Sequence, residues 1–312
     1  MRKCNTNHWL TSTSFFPFFQ INNPCSDPEW NSCSVTSRTT PSAQSCSFTS
    51  CHFISCNNNE NEPKGNGGAI SYDVANGKLT VTSCYFSHCI AYSMDGGGVY
   101  SYNCNYVTIS SCTFIDCHAD ATSRNSGGGG VLLRSIKKQP SISVCSFISC
   151  TSQDDGGGVC IWSSTVENPN RVHTDCIFVH CSIPKTNTNN RIPTGGGLLM
   201  WANTHAIKYS NVLFAHNEGY YGGAYATNSY SSAPNYLLSF CFFHMNEASP
   251  GNDLYFWSSP SNSPLFSCFS TTFASRISTG DDNWLPLTIF NHSINTPKTF
   301  TRTSLSQTTH NW

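Results

Sequence analysis

One hexapeptide pattern, repeated, limits what this chain can fold into more than any other feature. CxFxxC occurs at Cys51 to Cys56, Cys84 to Cys89, Cys112 to Cys117, Cys145 to Cys150 and Cys176 to Cys181. Val212 to Asn217 and Cys241 to Asn246 continue the series as variants, and an overlapping copy starts at Cys46. Start-to-start spacings are 33, 28, 33, 31, 36 and 29 residues. A unit of that size with loop-sized scatter is a stacking repeat, too small to bury its own apolar face and able to bury its neighbour's.

Between successive copies lies a glycine cluster: Gly67-Gly68, Gly96 to Gly98, Gly127 to Gly130, Gly156 to Gly158, Gly195 to Gly197, Gly222-Gly223, and a last form, Gly251-Asn252-Asp253. Each opens an apolar stretch. From the first glycine to the next CxFxxC start the distance is 16 to 20 residues, whereas the segment before the glycines varies more, so insertions gather at one corner. Within the unit the period is two: Leu79-Thr80-Val81-Thr82 and Val107-Thr108-Ile109-Ser110 alternate apolar with hydroxyl residues, as half-buried strands do. Three short strands per unit make one coil of a parallel β-solenoid. The expected organisation is an irregular segment over 1–45 with Pro17, Pro24, Pro28 and Pro41, a solenoid of about seven turns over 46–275, and an irregular tail over 276–312.

Composition narrows the function. The net charge is -1 and only 11% of residues are charged, against roughly 25% in ordinary domains, so nucleic-acid binding through a basic field is excluded. With 38% hydrophobic and 13% aromatic residues the chain is expected to fold rather than stay disordered. No apolar run reaches the length of a membrane span; Leu10 to Ile21 is short and interrupted by Pro17. Met1-Arg2-Lys3 is followed by polar residues from Asn5 to His8 rather than by an apolar stretch of signal length.

Two motifs carry a resemblance. Gly67-Gly68-Ala69-Ile70 reads GGAI, while Phe214 to Asn217 and Phe243 to Asn246 read FxxN. Their alternation over residues 46 to 275 resembles the repeats of chlamydial polymorphic outer membrane proteins and is similar to repeats in surface proteins of parasitic protists. The resemblance implies an all-β, right-handed parallel β-helix with three short strands per turn, at a cell surface or secreted, with adhesion as the usual role. Two departures matter. Cysteine replaces the FxxN asparagine in five turns, and the 55 residues after Trp257 are too few for a translocating β-barrel, so the bacterial export route is not carried over.

The Phe column (Phe53, Phe86, Phe114, Phe147, Phe178, Phe214, Phe243) reads as a stacked core row. Three readings of the eighteen cysteines stand side by side: bridges between turns, strained because parallel Cβ vectors hold the Cβ atoms apart; a bridge within one CxFxxC; and thiols serving as small buried apolar residues. Val212, Asn217 and Asn246 in cysteine columns speak for the last. His88, His180 and His216 precede the second Cys or Asn, but at a spacing unlike a zinc site, so they read as surface turn residues and no metal or cofactor is expected.

Counted from the last glycine, positions one and three after each cluster suit the interior, which sends positions two and four outward. That parity predicts an exposed aromatic stripe of Tyr100, Tyr225 and Tyr255 with Tyr72, Tyr102, Trp162, Trp201 and Trp257, flanked by Arg134, suited to a glycan or a protein partner. Non-enzymatic recognition is the expected function. A carbohydrate-active enzyme is the alternative, its acidic candidates being Asp154-Asp155, Asp281-Asp282, Asp116 and Asp175, with His173; adjacent aspartates before glycine are more often turn formers. A purely structural coat element is the third reading. Asn291-His292-Ser293 is a glycosylation sequon.

Overall fold

The computed structural model describes residues 29–58, 66–120, 127–138, 140–163, 170–184, 194–202, 206–229, 235–248, 253–258, 265–269, 271–273, 287–291 and 296–300. Among them there is no helix, and therefore none long and apolar enough to cross a membrane. The chain is a parallel β-solenoid of three long sheets.

The first sheet carries the alternating segments. It runs through nine parallel strands from Glu29–Asn31 and Ser45–Thr49 to Leu265–Phe269. The second, also of nine, carries the Phe column from Ser34–Val35 to Thr272–Phe273. The third follows the glycines and has seven strands: Ile70–Asp73, Val99–Tyr102, Val131–Arg134, Val159–Ser163, Leu198–Ala202, Tyr225–Ser229 and Leu254–Ser258. A fourth, small sheet of Ile90–Ala91, His118–Ala119 and Thr151–Ser152 lines one corner. Two of the sheets thus outrun the seven copies counted from sequence: Glu29–Asn31 and Ser34–Val35 add a rung ahead of residue 46. Within the tail, Leu287–Asn291 and Thr296–Phe300 pair antiparallel.

The Phe strands are only three residues long because the chain bends on both sides of them. Each residue before a Cys-position residue has a left-handed backbone: Ser83, Ser111 and Val144 on one side (φ 53, 54 and 55), His88, Asp116 and Ser149 on the other (φ 53, 51 and 52). Small polar residues tolerate this region best, which accounts for the frequency of Ser-Cys in the repeat. The bends point Phe inward seven times over. From Phe53 to Phe243 successive rings lie 4.5–5.1 Å apart, within 12° of parallel. Each buried ring contributes about 1.5–3 kcal/mol by leaving water.

The cysteines flank that stack in two buried columns. Cys33, Cys51, Cys84, Cys112, Cys145, Cys176 and Cys241 form one, with Val212 in the same row; Cys56, Cys89, Cys117, Cys150 and Cys181 form the other, which Asn217 and Asn246 continue. None of the described cysteines is in a disulfide. In the second column Cys89 Sγ donates to the carbonyl of Phe53, Cys150 to that of Phe114 and Cys181 to that of Phe147, at 3.4–3.6 Å. Asn217 and Asn246 send Nδ2 to the carbonyls of Phe178 and Phe214 at 2.9 and 3.0 Å. Cysteine therefore replaces asparagine because it makes the same bond to the preceding turn while remaining apolar enough for the core.

Candidate functional site

The post-glycine sheet positions the expected stripe, and its register corrects part of it. Ile70 pairs with Val99, and Leu198 with Tyr225. The two-glycine clusters are therefore one residue out of step with the others: Ala69 and Ala224 occupy the place of the third glycine, as the bonds Ala69 N to Gly98 O and Gly197 N to Ala224 O show. Tyr72 and Tyr225 consequently face inward rather than outward, 0% and 1% exposed, within the main core. Tyr72 donates its hydroxyl to the carbonyls of Ala43 and Gln44. The expected interior rows at Val99, Val131, Val159 and Leu198, and at Ser101, Leu133, Ile161 and Met200, are buried.

Of the outward rows, the one at position two is also closed to solvent from Tyr100 to Tyr255. Tyr100, Leu132, Cys160, Leu199, Ala226 and Tyr255 form a second apolar cluster with Tyr221, whose ring stacks on Tyr255 at 4.5 Å. Tyr100 and Tyr255 are 6% and 3% exposed, so they do not belong to an open surface stripe. Parity set the direction of these side chains; at the Tyr255 end the corner residues Tyr220 and Tyr221 pack against the face they point to.

The row at position four remains partly open. Asp73, Tyr102, Arg134, Trp162, Trp201, Asn228 and Trp257 pair in register down the sheet. The side chain of Trp257 lies outside the described residues. Tyr102, Arg134, Trp162 and Trp201 are half-buried. The Arg134 guanidinium sits 5.9 Å from the Tyr102 ring centroid, in cation–π range. The rings of Trp162 and Trp201 stack at 4.1 Å, 18° from parallel. Strand spacing of about 4.8 Å lets in-register flat side chains stack, so each rung holds its neighbour's rotamer.

Next to this row stand buried carboxylates. Asp95 Oδ1 accepts from Gly127 N at 3.1 Å, and Asp155 Oδ1 from Thr194 N and Oγ1 at 3.0 and 2.9 Å. Asn66 Oδ1 accepts from Asp95 N in the same way, so Asn66, Asp95 and Asp155, each just before a glycine cluster, tie one turn to the next. Burial pushes the Asp95 carboxyl up to about 6; the Gly127 N–H and the Arg134 guanidinium oppose that, and Asp154 adds to it. Burial also raises the Cys160 thiol, followed by the charges of Asp155, Asp95 and Asp154. The acidic residues weighed for catalysis are thus separated: Asp154 and Asp155 are buried at the glycine corner, while Asp116 and Asp175 lie at two different bends flanking the Phe strands. His173 is buried against Tyr209, and Asp281-Asp282 lies outside the described residues. His180 and His216 are exposed and stack at 5.0 Å, and His88 faces Asp116 at 3.6 Å. Among the described residues no group of His, Cys, Asp or Glu is placed to hold a metal ion.

Fold and site together define a parallel β-solenoid with an ordered aromatic and basic row along one face. No family model, curated protein or solved structure matches the chain.

Proposed function

We propose that this chain is a non-enzymatic recognition protein, displayed at a cell surface or secreted, that engages a macromolecular partner through the row Tyr102, Arg134, Trp162 and Trp201. The observation that carries the reading is the stacked, half-buried Trp162–Trp201 pair continuing directly from the Arg134–Tyr102 contact. Trp, Tyr and Arg are the residues that dominate binding hot spots, because a rigid ring or guanidinium buries much area at little entropic cost. The surface-protein repeats that the GGAI and FxxN motifs resemble lend the same reading support.

Between glycan and protein, the stacking favours protein. Each indole spends one face on the other, and Arg134 and Asn228 hold the rungs next to their outer faces, whereas a sugar ring stacks best on an open aromatic face. The experiment is a binding screen of the full chain on a glycan array and on immobilised cell-surface protein extract, repeated with Trp162→Ala/Trp201→Ala and with Arg134→Ala. Loss of protein binding with an unchanged circular-dichroism spectrum is expected. Binding that survives both variants would place recognition elsewhere than this row, no binding by the wild type would leave the structural-coat reading in possession, and release of reducing ends from polysaccharide would turn the reading to catalysis.

A further inference from the structure

The first cysteine column begins, within the described residues, at Cys33, opposite Cys51. Ser34 pairs with His52 and Val35 with Phe53, which sets the two cysteines on adjacent rungs of an in-register parallel pair. Their sulfur atoms are 2.8 Å apart, closer than two unbonded sulfurs rest comfortably. Both are buried, at 4% and 0% exposure.

We propose that Cys33 and Cys51 are an oxidation site that closes to a disulfide, stapling the first described coil of the solenoid to the second. Neighbouring parallel strands put Cα atoms about 4.8 Å apart, within disulfide range, but regular pleating holds the Cβ atoms slightly beyond the preferred ~3.8 Å. Closing the bond therefore requires one strand to tilt. That costs least at a sheet edge, and the Cys33 side of the pair is, among the described residues, an edge strand of two residues, Ser34–Val35. Further along the columns each rung is clamped from both sides by another strand.

The chemistry balances with a disulfide oxidant such as glutathione disulfide. The Cys51 thiol loses its proton and attacks one oxidant sulfur, expelling a thiolate; the Cys33 thiol, deprotonated in turn, attacks the Cys51 sulfur of the mixed disulfide and expels the second. Two thiols are oxidised, one disulfide is reduced to two thiols, and the two protons end on the leaving groups. Since both sulfurs are buried, the exchange belongs to folding, before the outer coil is laid down. The staple secures the first described rung of the sheet, and the end of a solenoid is where it frays or pairs with a stranger.

The test is peptide mapping of the full chain refolded in a glutathione redox buffer, alkylated with iodoacetamide in denaturant without reductant and cleaved after Arg38, which separates the two cysteines. The expected result is a Cys33 peptide joined to a Cys51 peptide, and a melting temperature that reductant lowers in the wild type but not in Cys33→Ala. Alkylation of both cysteines in the wild type would overturn the proposal, as would a Cys51–Cys84 linkage in its place.

Discussion

Oδ1 of Asn246 accepts two hydrogen bonds from Asn217, one turn earlier: the backbone N–H at 3.0 Å and the side-chain Nδ2 at 2.9 Å. Asn217 repeats the arrangement one turn further back, where its Oδ1 accepts from Cys181 N at 2.9 Å. The same column reads cysteine in the turns before, so thiol and amide serve one purpose.

Cys181→Asn is therefore expected to extend the amide ladder and to leave stability within about 1 kcal/mol of the wild type, or above it. Asn217→Leu removes the partner of Cys181 N and should cost about 1–3 kcal/mol. Urea unfolding of the two variants checks this; equal losses would show that the column is held by packing alone.

Val144 and Phe240 sit in left-handed bends, φ 55 and 54, where other turns have Ser, Asp or Asn. Both are more than half exposed, and the Val144 side chain gives little packing in return. Val144→Asn should stabilise the protein by about 1 kcal/mol through relief of backbone strain. A lower denaturation midpoint would contradict the strain assignment.

Asp95 gives a pH dependence of definite sign. Its carboxyl lies at about 6 in the folded chain against an ordinary 3.8. A raised value contributes stability that is present in full below 3.8 and lost as pH rises through about 6. The contribution is about 3 kcal/mol by that shift. Asp95→Asn keeps an oxygen for Gly127 N–H without a charge, and should be more stable than the wild type at neutral pH and flatter across that window. Thermal melts at a series of pH values measure both, and parallel curves would remove Asp95 as the source.

Gly130 lies under the Phe stack. A methyl group there would fall 2.8 Å from the Gly158 carbonyl oxygen and 2.8 Å from Phe147 Cδ1. Gly130→Ala should cost about 1–3 kcal/mol by overpacking. Ala69→Gly, at the equivalent place in an earlier coil, removes a buried methyl and should cost about 1 kcal/mol; a Gly130→Ala loss no larger than that would mean that ring contact is not what demands glycine.

The period, the strand alternation and the Phe row could be read from the sequence because each is repeated at least five times, and one irregular copy does not hide the rest. The register of single turns was harder. Counting from the last glycine misplaced Tyr72 and Tyr225, since the slot is defined by close approach to a neighbouring backbone, and Ala69 and Ala224 also fill it. The burial of Tyr100 and Tyr255 lay beyond periodicity altogether: alternation tells which side of a sheet a residue leaves from, and nothing about what packs against that side, as Tyr221 does on Tyr255. The Trp162–Trp201 rung was foreseeable, because both occupy the fourth place after a triple glycine.

Because every coil is bonded to the next along the long axis, the molecule is mechanically anisotropic. Tension drawn along that axis loads the inter-coil bonds in series, so an end coil peels away at low force and the damage advances one unit at a time. A sideways load must instead shear three sheets and the Phe stack together. A body built this way resists bending far better than pulling, which suits a short, stiff stalk more than a tether.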